Sequence, residues 1–150
     1  MTPPLNFYRT GDVYGEFSNF AAYPIELQGR TWPTTEHYFQ AQKFAGTAHE
    51  ETIRLADSPS KAARLGRHLH PLRPDWETVK EDIMRQALHA KFTQHPKLKT
   101  SLLATGDTHL VEHTKNDSYW GVGGDGTGKN RLGHLLMELR ARLRAKPGTK

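Results

Sequence analysis

Cysteine is missing from all 150 residues, so the chain has no disulfide framework, no thiolate metal ligand and no cysteine nucleophile. No apolar run approaches the roughly 18 residues that cross a bilayer, and no charged-then-apolar stretch opens the chain as a secretory leader would. A cytosolic domain is the expectation, with 35% hydrophobic and 25% charged residues. A broadly basic surface is missing too. The net charge is +5, but Arg140, Arg142, Arg144, Lys146 and Lys150 account for all of it, and the chain before them is neutral. That cluster reads as a helix end whose cations suit the helix dipole, followed by a frayed basic tail after about residue 145. Electrostatic contact of the tail with nucleic acid is the rival reading.

The most informative segment runs from Trp32 to Phe44. Pro33 is followed by Thr34 and Thr35, hydroxyl residues able to cap free amides at a helix start. At about 3.6 residues per turn, Glu36, Gln40 and Lys43 share one face. Tyr38, Phe39 and Phe44 crowd the neighbouring faces, which predicts a buried helix. A carboxylate and an ammonium withdrawn from water need partners and take shifted pKa values, so this stripe is a candidate reaction site. A purely structural Glu36–Lys43 pair is the competing reading.

The remaining pattern predicts an α+β fold, a single mostly helical domain with a few short strands. Leu5 to Tyr8 reads as a strand and Gly11 to Phe20 as a loop. Tyr23 to Leu27 and Arg30 to Trp32 suit a hairpin about Gln28-Gly29. Helices are predicted from Thr34 or Thr35 to Phe44 with Gly46 as terminator, from Thr47 to Ala56, and from Ser58-Pro59 to Leu65 with Gly66 as the stop. Longer patterns follow from Asp75 to Phe92, with Trp76, Val79, Ile83 and Ala87 on one stripe, from Pro96 to Ala104, and from an Asn130 cap through Leu143. Thr108 to His113 alternates as a strand.

Three motifs invite chemistry. Gly121 to Gly126 fits G-x-G-x-x-G, but no strand–helix–strand unit surrounds it. Gly123 to Lys129 fits G-x-x-x-x-G-K, but Asn130 stands where Ser or Thr would hold Mg²⁺. What survives is physical: a run of glycine amides ahead of a helix N-terminus suits phosphate, with a plain flexible loop as the alternative. His109 to His113 fits H-x-x-E-H, which requires a helix; in a strand the two imidazoles stand about 13 Å apart. No metal or other cofactor is called for. Asn116 to Gly121 places Asp117 and Trp120 at the lip of the glycine segment. There a carboxylate could hold a hydroxyl or water and an indole could stack on a base or sugar, against a reading of simple turn chemistry.

Gly15-Glu16-Phe17-Ser18-Asn19-Phe20, Trp32 to Phe44, Ser60 to Arg67, Trp76 with Lys80 and Met84, Lys91-Phe92, Leu103 to Gly106, Asn116 to Gly123, Gly128 to Gly133 and Leu136-Met137 occur in this order. In these segments the chain resembles the NADAR family over nearly its whole length, as one domain spanning residues 1–150. The resemblance implies an N-glycosidase that cleaves a ribose C–N bond in a phosphorylated substrate. That substrate is either a ribosylamino-pyrimidine phosphate of riboflavin biosynthesis or ADP-ribose carried on guanine or arginine. Nucleic acid then enters as a modified substrate, no membrane is involved, and a non-catalytic ADP-ribose or nucleotide-binding module is the alternative.

The resemblance also implies that a lysine amine attacks the ribose carbon and forms an imine, and the matching position is Lys43. Glu36 would be its proton-transfer partner, and Asp117 would position water or the ribose hydroxyls. Glu16, Phe17 and Asn19 would meet the ribose or base. Phe44 and Trp120 would wall the pocket, and the segment holding Gly121, Gly128 and Asn130 would take phosphate. An amine and a carboxylate on one buried helix, facing a glycine-lined hollow, is the expected centre.

Overall fold

A computed structural model describes residues 3–145, which form an α+β fold of six helices and four three-residue strands. They group into two compact units, residues 19–95 and residues 3–18 with 96–145. Lys146 and Lys150 of the basic tail lie outside the described residues. No described helix is long and apolar enough to cross a membrane.

The first strand, β1 (Leu5–Phe7), belongs to the other unit; in residues 19–95, β2 (Ile25–Leu27) and β3 (Arg30–Trp32) pair antiparallel as a hairpin. Gln28 and Gly29 both have positive φ, 55° and 75°, as a two-residue hairpin turn requires. The hairpin leads into α1 (Thr35–Gln42), all eight of whose residues are buried. The Thr34 hydroxyl caps it by accepting from the His37 amide at 3.1 Å. The Asn19 carbonyl takes the Glu36 amide at 3.2 Å. α2 (Ala48–Arg54), α3 (Pro59–His68) and α4 (Trp76–Gln94) pack around α1. Thr47 and Ser58 cap α2 and α3, and Pro59 occupies the first turn of α3, where its missing N–H costs nothing.

The other unit joins distant parts of the chain. β1 (Leu5–Phe7) lies parallel to β4 (Leu110–Glu112), with Leu5 opposite Leu110. Phe7 and Leu110 turn inward with Leu98 and Leu102 of α5 (Pro96–Ala104) and Leu132, Leu135, Leu136 and Leu139 of α6 (Arg131–Ala145). A 3₁₀ turn, Gly15–Phe17, buries Phe17 edge-to-face on Phe7, with ring centroids 5.8 Å apart.

The structure corrects several sequence expectations. α1 ends at Gln42, and Lys43 is its capping residue rather than an interior one. α3 does not stop at Gly66 but runs on to His68, the missing Cβ of Gly66 leaving space for the Gln40 side chain. Val79 on α4 is only half-buried, and the core stripe passes instead through Met84, Leu88 and Phe92. Of the basic cluster, Arg140 is buried and donates to the Thr105 hydroxyl and the Thr108 carbonyl, while Arg144 pairs with Asp107 at 2.9 Å. Two of the three described arginines therefore hold the α5–β4 connection and are not a free basic surface.

Thr34 also donates from its hydroxyl to His37 Nδ1, 2.8 Å away. Thr34→Ala is expected to lower stability by at least about 1 kcal/mol, some 2–4 °C in Tm, with Thr34→Ser close to wild type. Thermal unfolding by circular dichroism checks this, and an unchanged Tm in Thr34→Ala would remove the cap from the account.

Candidate active site

The polar stripe of α1 exists as the sequence implies. Glu36 is buried, and its Oε2 accepts from Gln40 Nε2 at 2.7 Å. Lys43, one turn further along, is half-buried, with Nζ 6.0 Å from the centre of the Trp76 ring. Burial pushes the Lys43 ammonium below the usual lysine range. The cations of Arg67 and Lys80 push the same way, and Glu36 and Glu77 oppose them. The outcome is an amine closer to neutrality than a surface lysine, with a buried carboxylate whose charge reaches it.

The surroundings of this stripe are firm. Asn19 is buried; its Oδ1 accepts from the Thr35 hydroxyl at 2.7 Å, and its Nδ2 lies 3.5 Å from the Met84 sulfur. Phe44 is buried edge-on to His49, and Phe39 edge-on to Trp76. His37 places Nε2 3.0 Å from the Ala56 carbonyl, and burial lowers its pKa, so it sits as a neutral imidazole with the proton on Nε2. It holds the fold and is not a rival acid. Arg67, Trp76 and Gln40 carry no assignment from sequence; Gln40 stood on the stripe without one. Only the i+4 spacing from Glu36 points to Gln40, whereas Arg67 and Trp76 reach α1 through tertiary packing.

The other predicted residues belong to the second unit. Asp117 Oδ1 accepts from the amides of Tyr119 and Trp120, both at 2.9 Å, which folds the chain so that Trp120 stands edge-on to Tyr119. Glu16 Oε2 accepts from the Ser101 hydroxyl at 2.8 Å. Phe17 has no exposed surface and is a core residue beside Tyr14 and Phe7.

The glycine segment is built differently from the expected cradle. The amides of Gly128, Lys129, Asn130, Arg131 and Leu132 bond to the carbonyls of Val122, Ser118, Gly121, Tyr119 and Trp120 respectively. The amides leading into α6 are therefore spent inside the loop. Gly128 is glycine because a Cβ there would lie 2.6 Å from the Gly121 oxygen, and one on Gly121 would lie 2.3 Å from Thr114 Cγ2. Asn130 adopts a positive φ of 52°, and its side chain stitches β4 by accepting from the Glu112 amide and donating to the Leu110 carbonyl. The main-chain amides of Gly128 and Asn130 and the Asn130 side chain are thus bonded within this segment, and these residues close the loop. The amides of Gly123 and Gly124 at its tip bond to no described residue. A cleft of about 450 Å³ is lined by Gly128 and Asn130 together with the exposed side chains of His109, His113, Lys129 and His134, but not by Asp117 or Trp120.

A NADAR domain family model matches residues 6–144. The chain is 62% identical to N-glycosidase YbiA of Escherichia coli, over 93% of this chain and 88% of that protein. It is 41% identical to a riboflavin biosynthesis protein of Vibrio vulnificus, over 95% of this chain and 39% of that one. The solved NMR structure of E. coli YbiA superposes with a TM-score of 0.89 at 60% identity, covering 96% of this chain and 86% of that one.

The direction of the Lys43 displacement is measurable. Neutral amines acylate and ammonium groups do not, so the rate of Lys43 acylation, read by peptide mass spectrometry, should reach half its maximum at a lower pH than that of exposed Lys99. Arg67→Met removes a cation that disfavours the Lys43 charge and should move that midpoint up. A Lys43 midpoint equal to that of Lys99 would contradict the buried-amine description.

Proposed function

The chain belongs to the NADAR domain family, and on that premise we propose that it is an N-glycosidase that hydrolyses the bond between a ribose carbon and a nitrogen, with Lys43 as nucleophile. The single observation that carries the chemistry is Lys43 itself. An amine depressed by burial and set on the same helix face as a buried carboxylate is the arrangement an imine-forming nucleophile needs.

Cleavage of a ribose C–N bond builds positive charge on the sugar in its transition state, and an adjacent carboxylate stabilises that charge. Glu36 takes the proton of the Lys43 ammonium. The neutral amine then attacks the ribose carbon, the C–N bond to the base breaks, and the departing nitrogen takes the proton that Glu36 holds. Ring opening gives the lysine imine, and water hydrolyses it to the free ribose and the original amine. Direct attack by water, steered by Glu36 or Asp117, is the variant without a covalent intermediate.

Recognition falls to residues carried over from the family pattern. Glu16 and Asn19 meet the ribose or base, with Asn19 held rigid by Thr35. Phe44 forms an apolar wall and Trp120 a stacking surface, the latter set by the Asp117 turn. Phosphate is assigned to the tip amides of the glycine segment, Gly123 and Gly124, because those further on are already bonded. The substrate class is a ribosylamino-pyrimidine phosphate or ADP-ribose on guanine or arginine. The chain works in the cytoplasm and uses no cofactor.

Borohydride reduction during turnover tests the covalent step. With a substrate panel of ribosylamino-pyrimidine phosphate, ADP-ribosyl-guanine in DNA and ADP-ribosyl-arginine, reduction should leave a ribosyl mass adduct on Lys43, and Lys43→Ala should be inactive. Glu36→Gln should lose about 10²–10⁴-fold in kcat while retaining ligand. An active Lys43→Ala with no adduct anywhere would leave direct water attack as the mechanism. Binding without turnover by the wild type would leave a nucleotide-binding module.

A further inference from the structure

Gln40 and Gly66 are fitted to one another inside residues 19–95. Gln40 is 8% exposed and gives its Nε2 proton to Glu36. An ionised carboxylate can only accept, so the amide nitrogen faces Glu36 and the carbonyl oxygen, Oε1, turns away from it. On that side stands α3. Oε1 is buried there and has no hydrogen-bond partner among the described residues. A Cβ on Gly66 would lie 1.9 Å from Oε1 and 2.7 Å from the amide carbon. No side chain other than glycine at position 66 leaves room for Gln40 in this orientation.

Two local disadvantages thus meet at one point. A buried carbonyl is left without a donor, and a glycine sits inside a helix where alanine is the more favourable residue. An apolar residue at position 40 with alanine at position 66 would relieve both. The contact to Glu36 is the one thing such a pair would lose.

We propose that Gln40, seated in the notch left by Gly66, is a positioning residue that fixes the orientation of the Glu36 carboxylate and favours its ionised form. This rests on the N-glycosidase reading, in which Glu36 must be ionised to take the Lys43 proton. The other charges that bear on Lys43 are Arg67 of α3 and Glu77 and Lys80 of α4. All remain in place when Gln40 or Gly66 is altered.

The test has an arm independent of activity. Carbon-13 NMR titration of the Glu36 carboxyl is compared in wild type, Gln40→Leu and Gly66→Ala. Loss of a hydrogen bond to a charged group corresponds to a rise of about one to two pH units in the Glu36 midpoint, in both variants. In turnover, the acidic limb of the kcat profile should move up by the same amount, with kcat down roughly tenfold to a hundredfold and KM within about threefold. The steric fit has its own signature. Gly66→Ala should lower Tm in the wild type but raise it in a Gln40→Ala background, where the methyl group has space and helix propensity favours it. A Glu36 midpoint unmoved in Gln40→Leu, or a Gly66→Ala that raises Tm in both backgrounds, overturns the proposal. Should Gly66→Ala not fold, Gln40→Leu decides alone, because it removes the bond at similar volume. If the wild type turns over no member of the substrate panel, the N-glycosidase reading fails while the titration still reports whether Gln40 governs Glu36.

Discussion

A helix buried on every side that nevertheless carries polar side chains is the constraint on which residues 19–95 depend. All eight residues of α1 are withdrawn from water, and Glu36, His37, Gln40 and Gln42 are among them. A buried polar group without a partner costs more than a made hydrogen bond returns, and all but the Gln40 oxygen are answered by specific partners. His37 is held between Thr34 and Ala56. Gln42 donates to Glu50, which also accepts the Gly46 amide. The Tyr38 hydroxyl reaches Gln86 on α4. These contacts fix α1 in rotation as well as in position. Apolar packing alone would tolerate a slip of the helix about its axis; three polar contacts, from His37 to Ala56, Gln42 to Glu50 and Tyr38 to Gln86, do not.

That explains why so much was legible in the sequence at this helix and less elsewhere. The Thr34 cap, the Glu36–Gln40–Lys43 face and the aromatic crowding are local facts of spacing, and the structure repeats them. The Gln28-Gly29 turn and the Ser58-Pro59 and Pro96 helix starts were readable for the same reason. The pairing of β1 with β4 joins residues about a hundred positions apart, and no local pattern signals it. Gly66 misled because a glycine inside a helical pattern ordinarily marks its end, whereas here the missing Cβ is a space for a side chain from another helix.

The glycine segment is a related case. A run rich in glycine ahead of a helix has two physical uses, which look alike in sequence. One exposes amides to an anion. The other lets two stretches of backbone approach closely enough to bond to each other. At Gly121 and Gly128 the second holds, since the amides from Gly128 to Leu132 and the carbonyls from Ser118 to Val122 consume one another. Asp117 and Asn130 contribute to the same closure, one by folding the Tyr119–Trp120 turn and the other by anchoring β4. The placement of the Trp120 turn and of the loop tip follows from hydrogen bonds made elsewhere in the segment.

The position of Lys43 at the end of α1 also acquires a reason. The C-terminus of a helix carries partial negative charge and favours a cation, which taken alone would keep the amine protonated. Burial works against this, and so do the cations of Arg67 and Lys80, while Glu36 and Glu77 side with the helix end. The net displacement is towards the neutral amine. The proposed imine route uses both forms: the neutral amine to attack, and the protonated one as the state regained when the imine is released. A lysine deeper inside α1 would lack the helix-end contribution, and one on an exposed turn would lack the desolvation. At the cap, where the chain leaves the buried helix through Lys43 and the Arg73 amide bonds to its carbonyl, burial is the larger influence.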